Sequence, residues 1–301
     1  MNGLWYTVFM NKNVIIGTAR NGKVRLYLAD TRDLCEEARR VHDMYPTSLA
    51  ALGRVLSVTG IMALMQKEEQ EAVTVTINGG GPIGTVMAVG LPNGDLKGFV
   101  GDPHIYLKYN DSNKLAVGMA VGRDGYLKVT KDLKLKQNYT SQVSLQTGEI
   151  GDDFAYYFSV SEQVPTVVSV GVLVDTDSTC KSAGVMILEL LPGHGEEDIV
   201  ALEELTKRLR PISSVLAENN DLLAYAKSLF EDFVLLEEKE LRYHCDCSKD
   251  RFLRNLLTLS KTDLEELLDE EGIDIKCEFC DKTYHFGKDD LELLRKYVVY
   301  K

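Results

Sequence analysis

Four of the chain's six cysteines crowd together near the C-terminus, as HCDC at 244–247 and CEFC at 277–280. The pairs are Cys245-x-Cys247 and Cys277-x-x-Cys280, with 29 residues between them. Residues 241–301 are too few to build much of a core, and segments of that size usually need a staple such as a metal. Four thiolates supply a closed tetrahedral shell that suits one zinc ion and leaves no position for a reacting water. A metal-free redox dithiol or an iron–sulfur cluster would use the same residues, and both stand as alternatives. His244 and His285 flank the cluster; with four thiols at hand, they are expected beside the ligands rather than among them.

The other two cysteines are scattered, and the whole chain determines how the cluster is to be read. The opening MNGLWYTVFMNKNVIIG lacks a charged segment followed by a long apolar one, so no secretory signal is expected and the cytoplasm is the expected compartment. In a reducing compartment clustered thiols point to metal or redox chemistry rather than to structural disulfides. A formal net charge of −12 argues against nucleic acid, because phosphate binding needs a basic face. Without an uninterrupted run of about 18 apolar residues, no membrane span is expected.

The chain of 301 residues divides into three zones. Residues 1–192 mix strand and helix signals and predict an α+β core domain dominated by antiparallel pairing. Strands are expected at 73–77, 85–89, 96–100, 154–160, 166–174 and 183–191, with the Asn93–Gly94 pair forming a hairpin turn. Helices are expected at 33–43 and at 47–65, where Leu49, Leu52, Val55, Leu56 and Ile61 recur at helical spacing. Residues 193–240 carry two helical stripes, Ile199 to Ile212 and Leu222 to Phe233, with 12 acidic and 5 basic side chains, a net of −7. Short helices with self-repelling charge are marginal without partners, so this zone reads as a metastable helical linker. Residues 241–301 form the small zinc-binding domain.

The single residue between Cys245 and Cys247 also lets oxidation join neighbours into a very small ring. A structural zinc contributes about 10–16 kcal/mol, nearly all of it folding energy. Closing a ring of three or four residues contributes only about 1.5–2 kcal/mol. If neighbouring thiols bonded, one strong long-range staple would be exchanged for two weak local ones, and the module should unfold. A zinc-bound thiolate remains open to an oxidant, so such a site can be both lock and sensor.

These residues carry a family likeness. The chain resembles the thirty-three-kilodalton heat-shock protein family of redox-regulated holdase chaperones, from about residue 14 to residue 290. The likeness rests on ARRVHDMYPTSLAALGR (38–54), NGGGPIG (78–84), TGEIGDDFAYYFSVSEQVPT (147–166), SVGVLV (169–174), HCDCS and CEFC. The resemblance implies one zinc ion held by Cys245, Cys247, Cys277 and Cys280 in a reduced, inactive state. It implies that oxidation with heat releases the zinc, forms the disulfides Cys245–Cys247 and Cys277–Cys280, unfolds the linker and favours a homodimer. That form would hold unfolding client proteins without ATP. No enzymatic activity, nucleotide, nucleic acid or membrane partner is implied.

Other signals point to structure. Gly79, Gly81 and Gly84 satisfy a dinucleotide-binding pattern, but the strand-like TVMAV that follows is not the required helix, so a turn is expected. Cys35 and His42 lie seven apart on one helix face, a conceivable catalytic pair but more simply a structural thiol and a surface imidazole. Cys180 falls in a polar turn with no partner in sequence. Tyr156, Tyr157 and Phe158 read as core, and Arg39, Arg40 and Asp43 as a solvated face. Asp152 and Asp153 read as capping or turn residues rather than a catalytic pair. A zinc-ribbon adaptor for nucleic acid finds no support in residues 241–301, with 11 basic against 14 acidic side chains. A thiol-disulfide oxidoreductase would place Cys277–Cys280 at a helix start, where the strand-like TYHF follows instead.

Overall fold

The computed structural model describes residues 12–112, 114–268 and 271–298. The expectation about a signal falls on residues 1–11, outside the described residues. The chain separates into two compact units, 1–243 and 244–301.

In the first unit, β1 (Val14–Ala19) and β2 (Val24–Asp30) form a hairpin that leads into α1 (Arg32–His42) and α2 (Pro46–Leu64). Next come β3 (Ala72–Gly80), β4 (Val86–Gly90), β5 (Asp95–Val100), the short α3 (Val117–Val121), β6 (Gly122–Asp132) and β7 (Tyr139–Ser144). After α4 (Gly151–Tyr157) and a π-helical turn (Phe158–Glu162) the chain forms β8 (Thr166–Val174) and β9 (Cys180–Leu190). Three helices follow, α5 (Glu196–Thr206), α6 (Ile212–Glu218) and α7 (Leu222–Leu229), then β10 (Val234–Lys239) and β11 (Arg242–Tyr243). Two sheets result: a five-stranded antiparallel one in the order β10-β1-β2-β9-β8, and a six-stranded one in the order β11-β5-β4-β3-β6-β7. Every pairing in the six-stranded sheet is antiparallel except β11 with β5. The α+β class with antiparallel sheets is as expected.

Helix α2 packs against β8 and β9 of one sheet and against β3, β4 and β5 of the other. Every residue from Thr47 to Ala63 except Arg54 is buried. A helix apolar all round belongs inside a large core. By length and composition α2 could also cross a membrane, a feature hidden from a search for unbroken apolar runs, but 89% of the qualifying window is buried inside the fold.

Strand alternation makes the five-stranded sheet two-sided. Val14, Ile16, Tyr27, Ala29, Val185 and Ile187 face the α2 core. Ile15, Leu26, Leu28, Met186 and Leu188 face the other way, where Leu202, Ile212, Leu216, Leu222, Ala226, Phe230 and Phe233 from the α5–α7 segment cover them. Gly184 allows this approach, since a Cβ there would lie 2.2 Å from Leu216 Cδ1. The acidic zone is therefore helical only as far as Leu229. Val234–Lys239 is a strand on the sheet edge beside β1, although its short VLLEEK run carried no expectation of one.

Residues 154–160, expected as a strand, are α4 and the π-helical turn. Their Phe, Tyr and Val content favours strands, but Asp153 decides the matter. Its buried carboxylate accepts N–H groups from Gln146, Thr147 and Ile150 at 2.7, 3.0 and 2.9 Å and fixes the first turn. Phe154, Tyr157 and Phe158, at helical spacing, then enter the core. Asp152 receives the Thr147 hydroxyl, so the two carboxylates serve the turn as expected. Gly79, Gly81 and Gly84 belong to the end of β3 and the turn into β4; a Cβ at Gly79 would lie 2.3 Å from Gly122 O.

In the second unit α8 (Lys249–Leu256) and α9 (Lys261–Leu268) precede the hairpin β12 (Gly272–Lys276) and β13 (Thr283–Gly287), and α10 (Lys288–Val298) follows. Its core is small: among the described residues Leu256, Leu264, Phe286, Leu291 and Leu294 form its buried apolar cluster.

Candidate metal centre

Exposure alternates along residues 242–250: Tyr243, Cys245, Cys247 and Lys249 are half-buried while their neighbours are exposed. In extended chain, residues two apart project to the same side. Cys-x-Cys thus presents both thiols in one direction from a segment with no regular structure. The second pair lies in the turn between β12 and β13. Cys280 N–H and Asp281 N–H donate to Cys277 O at 3.3 and 2.9 Å, and Cys277 N–H donates to Lys282 O at 2.9 Å. Asp281 completes the knuckle in the left-handed region, φ 59°.

The four Sγ atoms lie within 4.8 Å of one another. Contacts run across the pairs, with Cys245 Sγ 3.8 Å from Cys277 Sγ and Cys247 Sγ 3.2 Å from Cys280 Sγ. A tetrahedral zinc with Zn–S near 2.3 Å places its sulfurs about 3.8 Å apart, so the donor set and spacing fit that ion. Among the described residues no other set of three or more His, Cys, Asp or Glu ligand atoms gathers this way.

Burial is the first influence on Cys245, Cys247 and Cys280 and acts to hold their protons. It prevails at Cys245, which is pushed far up, and at Cys280, raised to about 11. At Cys247 hydrogen bonds from Tyr284 and the other three thiols outweigh it and bring the value down to about 7. Of these three, Cys247 is the readiest to ionise. The Tyr284 hydroxyl lies 3.1 Å from Cys247 Sγ and donates to Cys247 O at 2.9 Å. Its hydrogen bond to Cys247 raises the phenol to about 12. Tyr284 is the partner that the cysteine pattern did not reveal. Its signal was its place in TYHF, on the same strand face as the core residue Phe286.

His244 is exposed, and His285 is paired through Nδ1 with Asp274 at 2.8 Å; neither belongs to the cluster. His42 is buried, not a surface imidazole, with Nε2 2.9 Å from both Gly98 O and the Tyr243 hydroxyl. Cys35 is buried beside Gly53 of α2. Cys180 is the buried first residue of β9 rather than part of a polar turn. Cys277 and Cys280 open a turn that leads into β13, not a helix.

Fold and cluster together define a two-unit α+β protein whose smaller unit gathers four thiols at metal-binding distances. The Hsp33 protein family profile matches residues 12–287. A 33 kDa chaperonin of Bacillus licheniformis is 43% identical over 281 residues, covering 92% of this chain and 96% of that protein. One from Alkaliphilus oremlandii is 40% identical over 295 residues, covering 97% and 99%. The crystal structure of the 33 kDa chaperonin of Thermotoga maritima, described as a heat shock protein 33 homolog, superposes with a TM-score of 0.86 at 34% identity, covering 97% of this chain and 100% of that one. The chain belongs to the Hsp33 family.

Proposed function

We propose that this protein is a redox-regulated, ATP-independent holdase that binds unfolding proteins and keeps them from aggregating. In the reduced state one zinc ion is held by Cys245, Cys247, Cys277 and Cys280, and the protein is inactive. Oxidation joins Cys245 to Cys247 and Cys277 to Cys280, and the zinc leaves. Residues 241–301 are then the switch, 193–240 the linker it supports, and 1–192 the core. The oxidised form works as a homodimer in the cytoplasm, with no chemistry of its own.

The observation that carries this reading is that thiols of the two arms meet. Cys245 Sγ lies 3.8 Å from Cys277 Sγ and Cys247 Sγ 3.2 Å from Cys280 Sγ, whereas the proposed disulfides lie within each arm. Zinc at this centre would supply a cross-link between arms that the small apolar cluster of the described residues cannot replace. When the linker lifts, the apolar face of β1, β2 and β9 now covered by α5–α7 becomes the surface for clients. Family membership and the chaperonin names of the relatives support the client-binding part.

The test measures zinc release and suppression of a model client's aggregation in parallel, before and after hydrogen peroxide with mild heating. Zinc release with a gain of holding activity, unaffected by ATP, is expected. Equal activity in both states overturns the switch, and a requirement for ATP overturns the holdase.

A further inference from the structure

Glu189 stands among apolar neighbours near the end of β9. It leaves the strand on the same side as Val185 and Ile187, toward the core that holds α2. The residue is half-buried, yet no described residue gives its carboxylate a hydrogen bond or an ion pair. Arg25 lies directly opposite on β2 without closing an ion pair to it.

The carboxylate lines a cavity of about 270 Å³. Met62 and Met65 at the end of α2, Phe158 on the π-helical turn, Val164 and the Tyr27 ring supply apolar wall. The other two charges of the wall pair with each other. Lys131 Nζ lies 2.7 Å from Glu162 Oε1, which also accepts the Tyr157 hydroxyl at 2.7 Å. Glu189 is the charge that this pairing leaves over. A π-helical turn in the wall of a cavity is itself a feature frequent at functional sites.

We propose that this cavity binds a small primary ammonium ion on a short saturated chain, with the cationic head against Glu189 and the chain against Met62, Met65 and Phe158. The site lies wholly within the first unit and rests neither on the zinc centre nor on the holdase reading.

Each feature narrows the ligand. An anion would meet a carboxylate. A hard metal ion needs several oxygen ligands, and among the described residues only the four cysteines gather as metal ligands. A neutral apolar molecule would strip water from Glu189 and return no hydrogen bond. An ammonium supplies the missing donors, and aromatic faces and thioethers suit a cation with an apolar tail. Drug-sized ligands occupy roughly 300–1,000 Å³, so a smaller cavity takes a smaller molecule.

Electrostatics agree with the geometry. Burial, the largest influence, pushes the Glu189 carboxyl up; Arg25 pulls it down, Glu162 pushes it up and Lys131 pulls it down. Tyr27 and Tyr157, both raised by burial, carry no charge at neutral pH. A carboxylate kept in a cavity against its desolvation cost marks a candidate binding site. Ammonium and proton compete for the same oxygens, so affinity should fall as the pH drops through the carboxyl's raised value.

The experiment uses the reduced, zinc-loaded full chain with isotopically labelled methionine methyl groups, followed by NMR. Met62→Leu and Met65→Leu assign the two signals. The protein is titrated with n-butylammonium chloride, and with n-butanol as the uncharged counterpart, at constant ionic strength. Both signals should shift and saturate with the amine, while that of Met186, on the opposite face of β9, stays in place. The alcohol, and the amine on Glu189→Gln, should each bind about tenfold more weakly or worse. Glu189→Gln keeps the shape and removes the buried charge, so it should also melt higher than the unaltered protein. No saturable shift at Met62 and Met65, equal binding of alcohol and amine, or undiminished binding to Glu189→Gln would each overturn the proposal. A lower melting temperature for Glu189→Gln would mean that the carboxylate is already satisfied, and would overturn it too. Should that variant fail to fold, the two titrations of the unaltered protein decide.

Discussion

Two groups of cysteines in one chain sit in opposite surroundings. Cys35 and Cys180 are enclosed by a core built from two sheets and α2, and that core would persist if both were replaced by small apolar residues. Cys245, Cys247, Cys277 and Cys280 stand in a unit whose described residues bury only a small apolar cluster, where extended chain and a turn supply the positions. In the first setting the fold holds the thiols; in the second, on the function proposed here, the thiols and their zinc hold the fold. The same element therefore has different leverage, set by how much apolar surface surrounds it.

The largest expected effect breaks the contrast directly. Stripping metal from the reduced protein with a chelator should withdraw stability on the order of 10 kcal/mol from the smaller unit. Hydrogen exchange would show residues 244–298 losing protection while 14–230 keep theirs; protection kept throughout would mean that the small unit stands by itself. The reverse perturbation is Phe154→Ala, which opens a cavity in the larger core and should cost the first unit about 3–5 kcal/mol. Denaturant unfolding followed separately from zinc content should show that loss with metal affinity unchanged. Tyr284→Phe removes the hydroxyl beside Cys247 and should weaken metal binding about 10–100-fold, read by competition with a chromogenic chelator. An unaltered affinity would leave the four sulfurs as the sole determinants of binding.

The smallest effect concerns the helices over the five-stranded sheet. The Asp198 side chain is 2% exposed, accepts Gly195 N–H at 3.0 Å, and meets Arg20 and Lys23 at 2.8 and 3.2 Å. The Gly195 N–H first, then Arg20 and Lys23, hold its carboxyl at about 2, below the ordinary 3.8. A depressed carboxyl stabilises the fold above its unfolded value and loses that contribution as pH falls from 3.8 toward 2. Pepsin cleavage within 196–206 should therefore accelerate over that window. Asp198→Asn should cut readily even at its upper end; equal rates for the two proteins would detach Asp198 from the anchoring of α5.

The legible parts of the sequence were those with short-range grammar. Cys-x-Cys and Cys-x-x-Cys announced the cluster because both spacings act locally. The Leu49–Ile61 stripe announced α2, and alternating runs announced β3, β4, β5, β8 and β9. Illegible parts depended on distant partners. FAYYFSV carries strand-favouring side chains and becomes helical because Asp153 gathers N–H groups from the preceding loop. VLLEEK becomes a strand because β1, more than 200 residues earlier, offers an edge. Cys180 N–H reaches the Glu36 carboxylate across 144 positions, a separation that no spacing rule reads.

Helix α2 has a consequence for the birth of the chain. Its cover comes partly from β8 and β9, and the last of these residues, Leu190, is 126 positions beyond Leu64. At roughly 5–20 residues per second, a ribosome needs on the order of ten seconds to supply that cover. Throughout that interval a nineteen-residue apolar helix has half its walls missing. Each newly made copy thus passes through the kind of exposed state that sticks to its neighbours, and a cell making many copies at once has to shelter them before they can shelter anything else.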